Sequence, residues 1–182
     1  SSAWAQVLVL ALAALVGLWT LAPGQGAAHE PLPIPVGRRA GMAWLALFVA
    51  LLLGLPWAVA VFPHATLALI DAFYRAGALV FGGGHVVLPL LQAEVVPTGW
   101  VEQGTFLAGY GAAQAVPGPL FTFAAFLGAS LQTGPQGVWG AVVCLLAIFA
   151  PSFLLVAGAL PFWEGLRAHP RMQAALAGVN AA

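Results

Sequence analysis

The sequence predicts an all-α integral membrane protein: a polytopic helical bundle with two Gly/Pro-broken re-entrant helical hairpins. Three observations carry this expectation. Of the 182 residues, 62% are hydrophobic and 5% charged, against about 25% charged in an average soluble domain, so the chain cannot clothe itself in a water-facing surface. Several apolar stretches approach the roughly 20 residues needed to cross about 30 Å of hydrocarbon. The 22 Gly and 14 Pro are heavy for plain spans, and two apolar segments are cut by Gly82-Gly83-Gly84 and by Pro117-Gly118-Pro119.

The elements follow in order along the chain. Residues 3–22 are uncharged and long enough for a span. They read as a mature helix rather than a signal peptide, because no basic start precedes them and the apolar run is long for one. The absent initiator Met suggests a processed or partial product. Residues 23–41 (PGQGAAHEPLPIPVGRRAG) are polar and rich in Pro and Gly, a linker outside the bilayer that ends in Arg38 and Arg39. Residues 42–62 form a second span with Pro56 as a kink, and 138–160 a third with Pro151 in the same role. Residues 161–171 (PFWEGLRAHPR) form an interfacial segment with Arg167 and Arg171, and a further helix from about 172 stops uncapped at Ala182. The expected fold therefore continues beyond this C-terminus.

Between the second and third spans lie the two broken segments, 67–97 and 105–131. A continuous helix over the first would run about 46 Å, too long for the hydrocarbon without strong tilt. Two half-helices folded back at each break fit better. Residues 97–103 connect the segments, with Trp100 as an interfacial anchor. The positive-inside rule places Arg38/Arg39 and Arg167/Arg171 on the cytoplasmic side. That parity holds whether each segment folds back or crosses once, so the length argument alone favours hairpins.

The same composition excludes several functions. The five basic residues are all Arg, in three separate places, with no patch that neutralises several phosphates, so a nucleic-acid partner is excluded. A single Cys144 in an apolar run provides neither a disulfide framework nor a Cys-based metal site. No cofactor, metal or catalytic residue is expected. No Gly-x-Ser-x-Gly elbow surrounds Ser130 or Ser152 for a hydrolase built with His85 or His64. No Gly-Lys-Ser/Thr follows the triple glycine, as a P-loop requires.

Irregular backbone at membrane depth survives only where protein or a wet cavity satisfies its polar groups. Two Gly/Pro-interrupted hydrophobic segments in related positions are the best sequence pointer to a transporter's substrate site. After Gly84 one half-helix starts at His85-Val86-Val87, and after Pro117 another starts at Pro119 and runs through Thr122. Each start presents unpaired N–H groups and the positive end of a helix dipole, with Pro suited to a first turn. Such starts bind phosphate- or sulfate-like groups, and glycine lets the backbone approach a ligand with no Cβ in the way. Gly82, Gly83, Gly84, His85, Val86, Gln114, Pro117, Gly118, Pro119 and Thr122 are accordingly the expected anion-binding residues.

Residues 81–91 (FGGGHVVLPLL) and 113–120 (AQAVPGPL) together resemble the two motifs of the chromate ion transporter family, over roughly residues 65–182. The resemblance implies a C-terminal half of such a protein: 1–22 as the last helix of a preceding half or an N-terminal anchor, 23–41 as the cytoplasmic inter-half linker, and 42–182 as the transport domain. It further implies export of chromate or a sulfate-like oxyanion across a bacterial-type inner membrane. The partner would be a second, inverted half, in the same chain or in a homo- or heterodimer.

Each side chain has a plainer role to set against the functional one. A charged His85 would strengthen anion binding, whereas a neutral one would cap or pack. Gln114 can donate two N–H bonds to an oxyanion or bond a neighbouring helix, and Thr122 can contact a ligand or bond back within its own helix. Asp71 and Arg75, spaced i, i+4, read as a structural pair near the interfacial end, or as a guanidinium for substrate with a coupling acid. Glu94 and Glu102 read as solvated, and Tyr110 between Gly109 and Gly111 reads as close helix packing. A passive anion channel lined by the same breaks and a non-transporting structural subunit are the alternative functions.

Overall fold

The computed structural model describes residues 37–80, 84–115 and 120–168, with isolated positions at 12, 13, 15, 16 and 19. Gly82, Gly83, Pro117, Gly118, Pro119 and Arg171 lie outside the described residues, as do nearly all of 1–22, most of 23–41 and the helix expected from 172. The described residues are helical and contain no strand: α1 (Arg38–Val61), α2 (Ala65–Leu79), α3 (Gly84–Val95), α4 (Gln103–Ala115), a 3-10 turn (Leu120–Thr122), α5 (Phe123–Ala129) and α6 (Gly137–Ala168).

The spans expected at 42–62 and 138–160 correspond to α1 and α6. Arg38–Val61 and Gly137–Trp163 are long and apolar enough to cross a membrane. Both helices run on through their prolines, Pro56 and Pro151. They expose large apolar side chains outward: Leu53 and Trp57 are each 68% exposed, Trp139 75% and Phe153 71%. A face of this kind suits lipid and would be a liability in water.

The middle region folds back twice. Arg75 Nη2 on α2 lies 3.8 Å from Glu94 Oε1 on α3. A continuous helix would hold residues 75 and 94 about 28 Å apart, so the chain reverses between Leu79 and Gly84. In the second segment the Gln132 amide donates to the Trp100 carbonyl at 2.9 Å, so the two flanks of α4 and α5 meet. Gly134 in turn lies against Ala65 at the start of α2. The start of α2, the 96–102 connector and the 130–136 loop therefore share one end, and both breaks lie at the opposite ends of their helices.

Local chemistry explains where these helices stop and start. His64 caps α2, its Nδ1 accepting from the Thr66 amide at 3.3 Å. The Thr98 hydroxyl donates to the Glu94 carbonyl at 2.7 Å, supplying a partner at the end of α3. Gly99 then turns the chain with φ +70°, a conformation that favours glycine. The Ser130 amide closes α5 on the carbonyls of Phe126 and Leu127, and Gly134, at φ +82°, turns the loop toward α6.

The chain divides into two compact units, Ser1–Leu45 with Val156–Ala182, and Ala46–Leu155. In the first unit Gly41 packs against Pro161 and Phe162, and Gly158 against Leu45. In the second, one core joins Phe73 of α2, Leu91 of α3, Phe106 of α4, Phe123 and Leu127 of α5 and Ile148 of α6. Phe106 and Phe123 meet edge to face at 5.1 Å and 79°, a favoured aromatic geometry.

Lipid offers helices no hydrophobic reason to associate, so close backbone approach carries much of the adhesion. A Cβ at Gly77 would overlap the Ile148 carbonyl, which sets α2 directly on α6. Cβ atoms at Gly128 and Gly140 would each overlap the other's carbonyl, which does the same for α5 and α6. Buried Tyr74 adds a polar tie, its hydroxyl donating to the Phe48 carbonyl at 3.1 Å. Tyr74→Phe is expected to cost about 1 kcal/mol. Thermal melts in detergent measure this, and a variant as stable as the parent would show that the bond contributes nothing.

Candidate functional site

The backbone of α3 is helical from Gly84, directly after the first break, so its first N–H groups have no partner within the helix. The side chains of Gly84, His85 and Val86 lie outside the described residues. On the second hairpin, the Leu120–Thr122 turn feeds into α5 and packs against both α3 and α4. Thr122 is exposed and occupies the N-cap position of α5. Only seven residues of regular helix follow it, Phe123–Ala129. The chain leaves the helix early because Ser130 closes it and Pro135 sits in the next loop. The dipole available at the breaks therefore comes mainly from α3.

Gln114 sits one turn before the second break and is exposed. Its Nε2 donates to the Tyr110 hydroxyl at 2.5 Å, within α4, rather than to a neighbouring helix. An amide nitrogen carries two N–H groups, so this bond uses one of them. Tyr110 packs edge to face on Phe123, 6.5 Å away, which fixes the Tyr110–Gln114 pair beside the start of α5. The sequence shows Tyr110 flanked by small residues; its part as Gln114's partner needed the i, i+4 geometry. Gly109 lies under the Phe126 ring, whereas Gly111 faces open space with nothing within 4 Å, so the expected close packing holds at one of the two glycines.

Asp71 and Arg75 form the expected pair, with Arg75 Nη2 2.9 Å from Asp71 Oδ2. Asp71 is 5% exposed, midway along α2, and so is enclosed by the folded-back hairpin rather than open at its rim. Glu94, expected in solvent, is half-exposed and is the second carboxylate on the same guanidinium. Asp71 Oδ1 and Arg75 Nε are buried without a hydrogen-bond partner among the described residues. Sequence reasoning missed Glu94 because a hairpin sets two helices side by side without stating their register. Of the hydroxyl and imidazole candidates of a hydrolase, His64 caps α2, the Ser130 amide closes α5 and Ser152 is exposed on α6, while the His85 side chain lies outside the described residues.

Comparison with known proteins adds three findings. The family model described as "Chromate transporter" matches residues 67–182. A chromate transport protein of Pseudomonas aeruginosa is 31% identical over 192 residues, covering 98% of this chain and 44% of that protein. One from Cupriavidus metallidurans is 29% identical, covering 96% of this chain and 40% of that protein, and the uncharacterized transporter YwrB of Bacillus subtilis is 39% identical over 89 residues, covering 48% of this chain and 43% of that protein. The chain thus spans less than half the length of the two chromate transport proteins, and its match to YwrB covers less than half of that protein. No solved structure matches it at a significant level.

Proposed function

The chain belongs to the chromate transporter family, and on that premise we propose that it is one half of a carrier that exports chromate or a sulfate-like dianion. Residues 42–182 are its transport domain, 23–41 the linker and 1–22 the last helix of a preceding half. The second half is inverted and comes from the same chain, another copy or another protein. The carrier sits in a bacterial-type inner membrane with Arg38/Arg39 and Arg167/Arg171 toward the cytoplasm.

The observation that supports this most is the double fold-back. Both breaks lie at hairpin ends, and the turn after the second packs against the helix that starts after the first. Two sets of main-chain amides then face a common anion, with Gly82, Gly83 and Gly84 permitting its close approach and Pro117, Gly118 and Pro119 shaping the other side. His85, Val86, Gln114 and Thr122 line it. A tetrahedral dianion suits such a site, because several N–H groups and a helix dipole act on it together.

Binding to the folded state raises stability by about 2.7 kcal/mol when ligand is 100-fold above Kd. Purified protein is therefore expected to melt several degrees higher in chromate than in chloride of equal ionic strength. Gln114→Ala is expected to reduce that increment without lowering the melting temperature in chloride. No increment at millimolar chromate, or the same increment with any monovalent anion, counts against the reading.

A further inference from the structure

We propose that Asp71, Arg75 and Glu94 form a proton-binding site in the α2–α3 hairpin, with Asp71 taking the proton. Two carboxylates share one guanidinium there, at 2.9 and 3.8 Å, which leaves the three ionised groups with a net charge of −1. Within the Ala46–Leu155 unit no further Lys or Arg balances that charge; Arg38 and Arg39 belong to the other unit. Residues 40–61 of α1, 103–129 through α4 and α5, and 137–163 of α6 contain no Asp, Glu, Lys, Arg or His. Among the described side chains, the packed elements offer the uncharged Tyr74, Tyr110 and Cys144; His85, near the start of α3, has a side chain outside the described residues. His64 and Glu102 are exposed at the connector end.

The orphaned atoms point to the proton. Asp71 is more than nine-tenths buried, and its Oδ1 receives no hydrogen bond. An ionised oxygen left so in an apolar interior is costly; a proton makes the triad neutral. A metal ion fits less well, because a guanidinium lies between the carboxylates and no group of three or more His, Cys, Asp or Glu gathers among the described residues. The other orphan, Arg75 Nε, supplies the complementary arrangement. With Asp71 ionised, Nε and Nη2 can grip both its oxygens side-on; with Asp71 protonated, the guanidinium pairs with Glu94. Proton binding thus shifts Arg75 between α2 and α3, the two helices that flank the triple-glycine break. Linkage of this proton to the oxyanion rests on the function proposed above.

Asp71 is the only aspartate in the sequence, which makes the test direct. Purified protein is labelled with carbon-13 at the aspartate side-chain carboxyl and titrated by infrared difference spectroscopy. A protonated-carboxyl carbonyl stretch that shifts with the label and disappears as pH rises is expected, whether or not chromate is present. Absence of any label-sensitive band across the pH range the protein tolerates overturns the proposal. Glu94→Gln leaves Arg75 to Asp71 alone, so it is expected to lower the band's amplitude severalfold at intermediate pH; an unchanged amplitude refutes the shared guanidinium. Chromate is then expected to change the band in the parent protein. If chromate changes neither band nor melting temperature, the oxyanion reading fails while the Asp71 proton stands, so the two failures are told apart.

Discussion

Arg75→Leu should destabilise the protein by on the order of 3 kcal/mol, and Asp71→Asn added to it should restore most of that loss. At a pH where Asp71 is ionised, removing the guanidinium leaves a carboxylate 5% exposed with no countercharge, which is the strongly destabilising way to break a buried pair. Removing both charges leaves neutral groups at 71 and 75 with the half-exposed Glu94 open to water, and such replacements are often close to neutral for stability. A solvated pair would behave differently, each change costing under about 1 kcal/mol. Melting curves of the parent, both single variants and the double variant form a closed cycle. Additive losses would mean that Asp71 and Arg75 do not depend on each other, and would remove the electrostatic basis of the proton site.

The second large effect is steric. Gly128→Val and Gly140→Val are each expected to abolish a monodisperse folded species, because even a Cβ at either position would overlap a carbonyl of the facing helix. Overpacking costs typically 1–3 kcal/mol where side chains can yield, but here the obstacle is backbone. Separating α5 from α6 also removes the close contacts that hold helices together in lipid. Gly54→Ala is the matched control: nothing lies within 4 Å of its would-be Cβ, and helix propensity alone predicts a change of under about 1 kcal/mol in the stabilising direction. Size-exclusion profiles and melts separate the cases. A well-folded Gly128→Val would show that the α5–α6 contact is looser than described.

Composition and punctuation made the architecture legible in advance. A 5% charged chain has few ways to fold outside lipid, and apolar runs of span length locate α1 and the start of α6 within a few residues, whereas α6 continues eight residues past the expected end at 160, into the segment expected to be interfacial. The breaks were marked in the residue order too, because Gly-Gly-Gly raises the entropic cost of a helix and each Pro removes a helical hydrogen-bond donor. The Asp71–Arg75 pair followed from i, i+4 spacing, since helix geometry alone brings those side chains together. Charge parity, by contrast, was the same for a crossing and for a fold-back, so it could not decide between them.

What the linear pattern could not contain was the register between helices. Residue order says that Glu94 lies on the helix after Asp71, but not that it comes to rest beside Arg75; that follows from where α3 lands on α2. The same holds for Gly77 against Ile148 and for Gly128 against Gly140, whose facing carbonyls appear only once the helices are packed. Gln114 shows the limit from the other side: its residue type announced a hydrogen bond, and the partner proved to be Tyr110, one turn back on α4 itself, rather than a group on a neighbouring helix. Local backbone chemistry acts over a few residues and is written in their order. Side-chain meetings across helices depend on axial shift and rotation, which many neighbours set jointly.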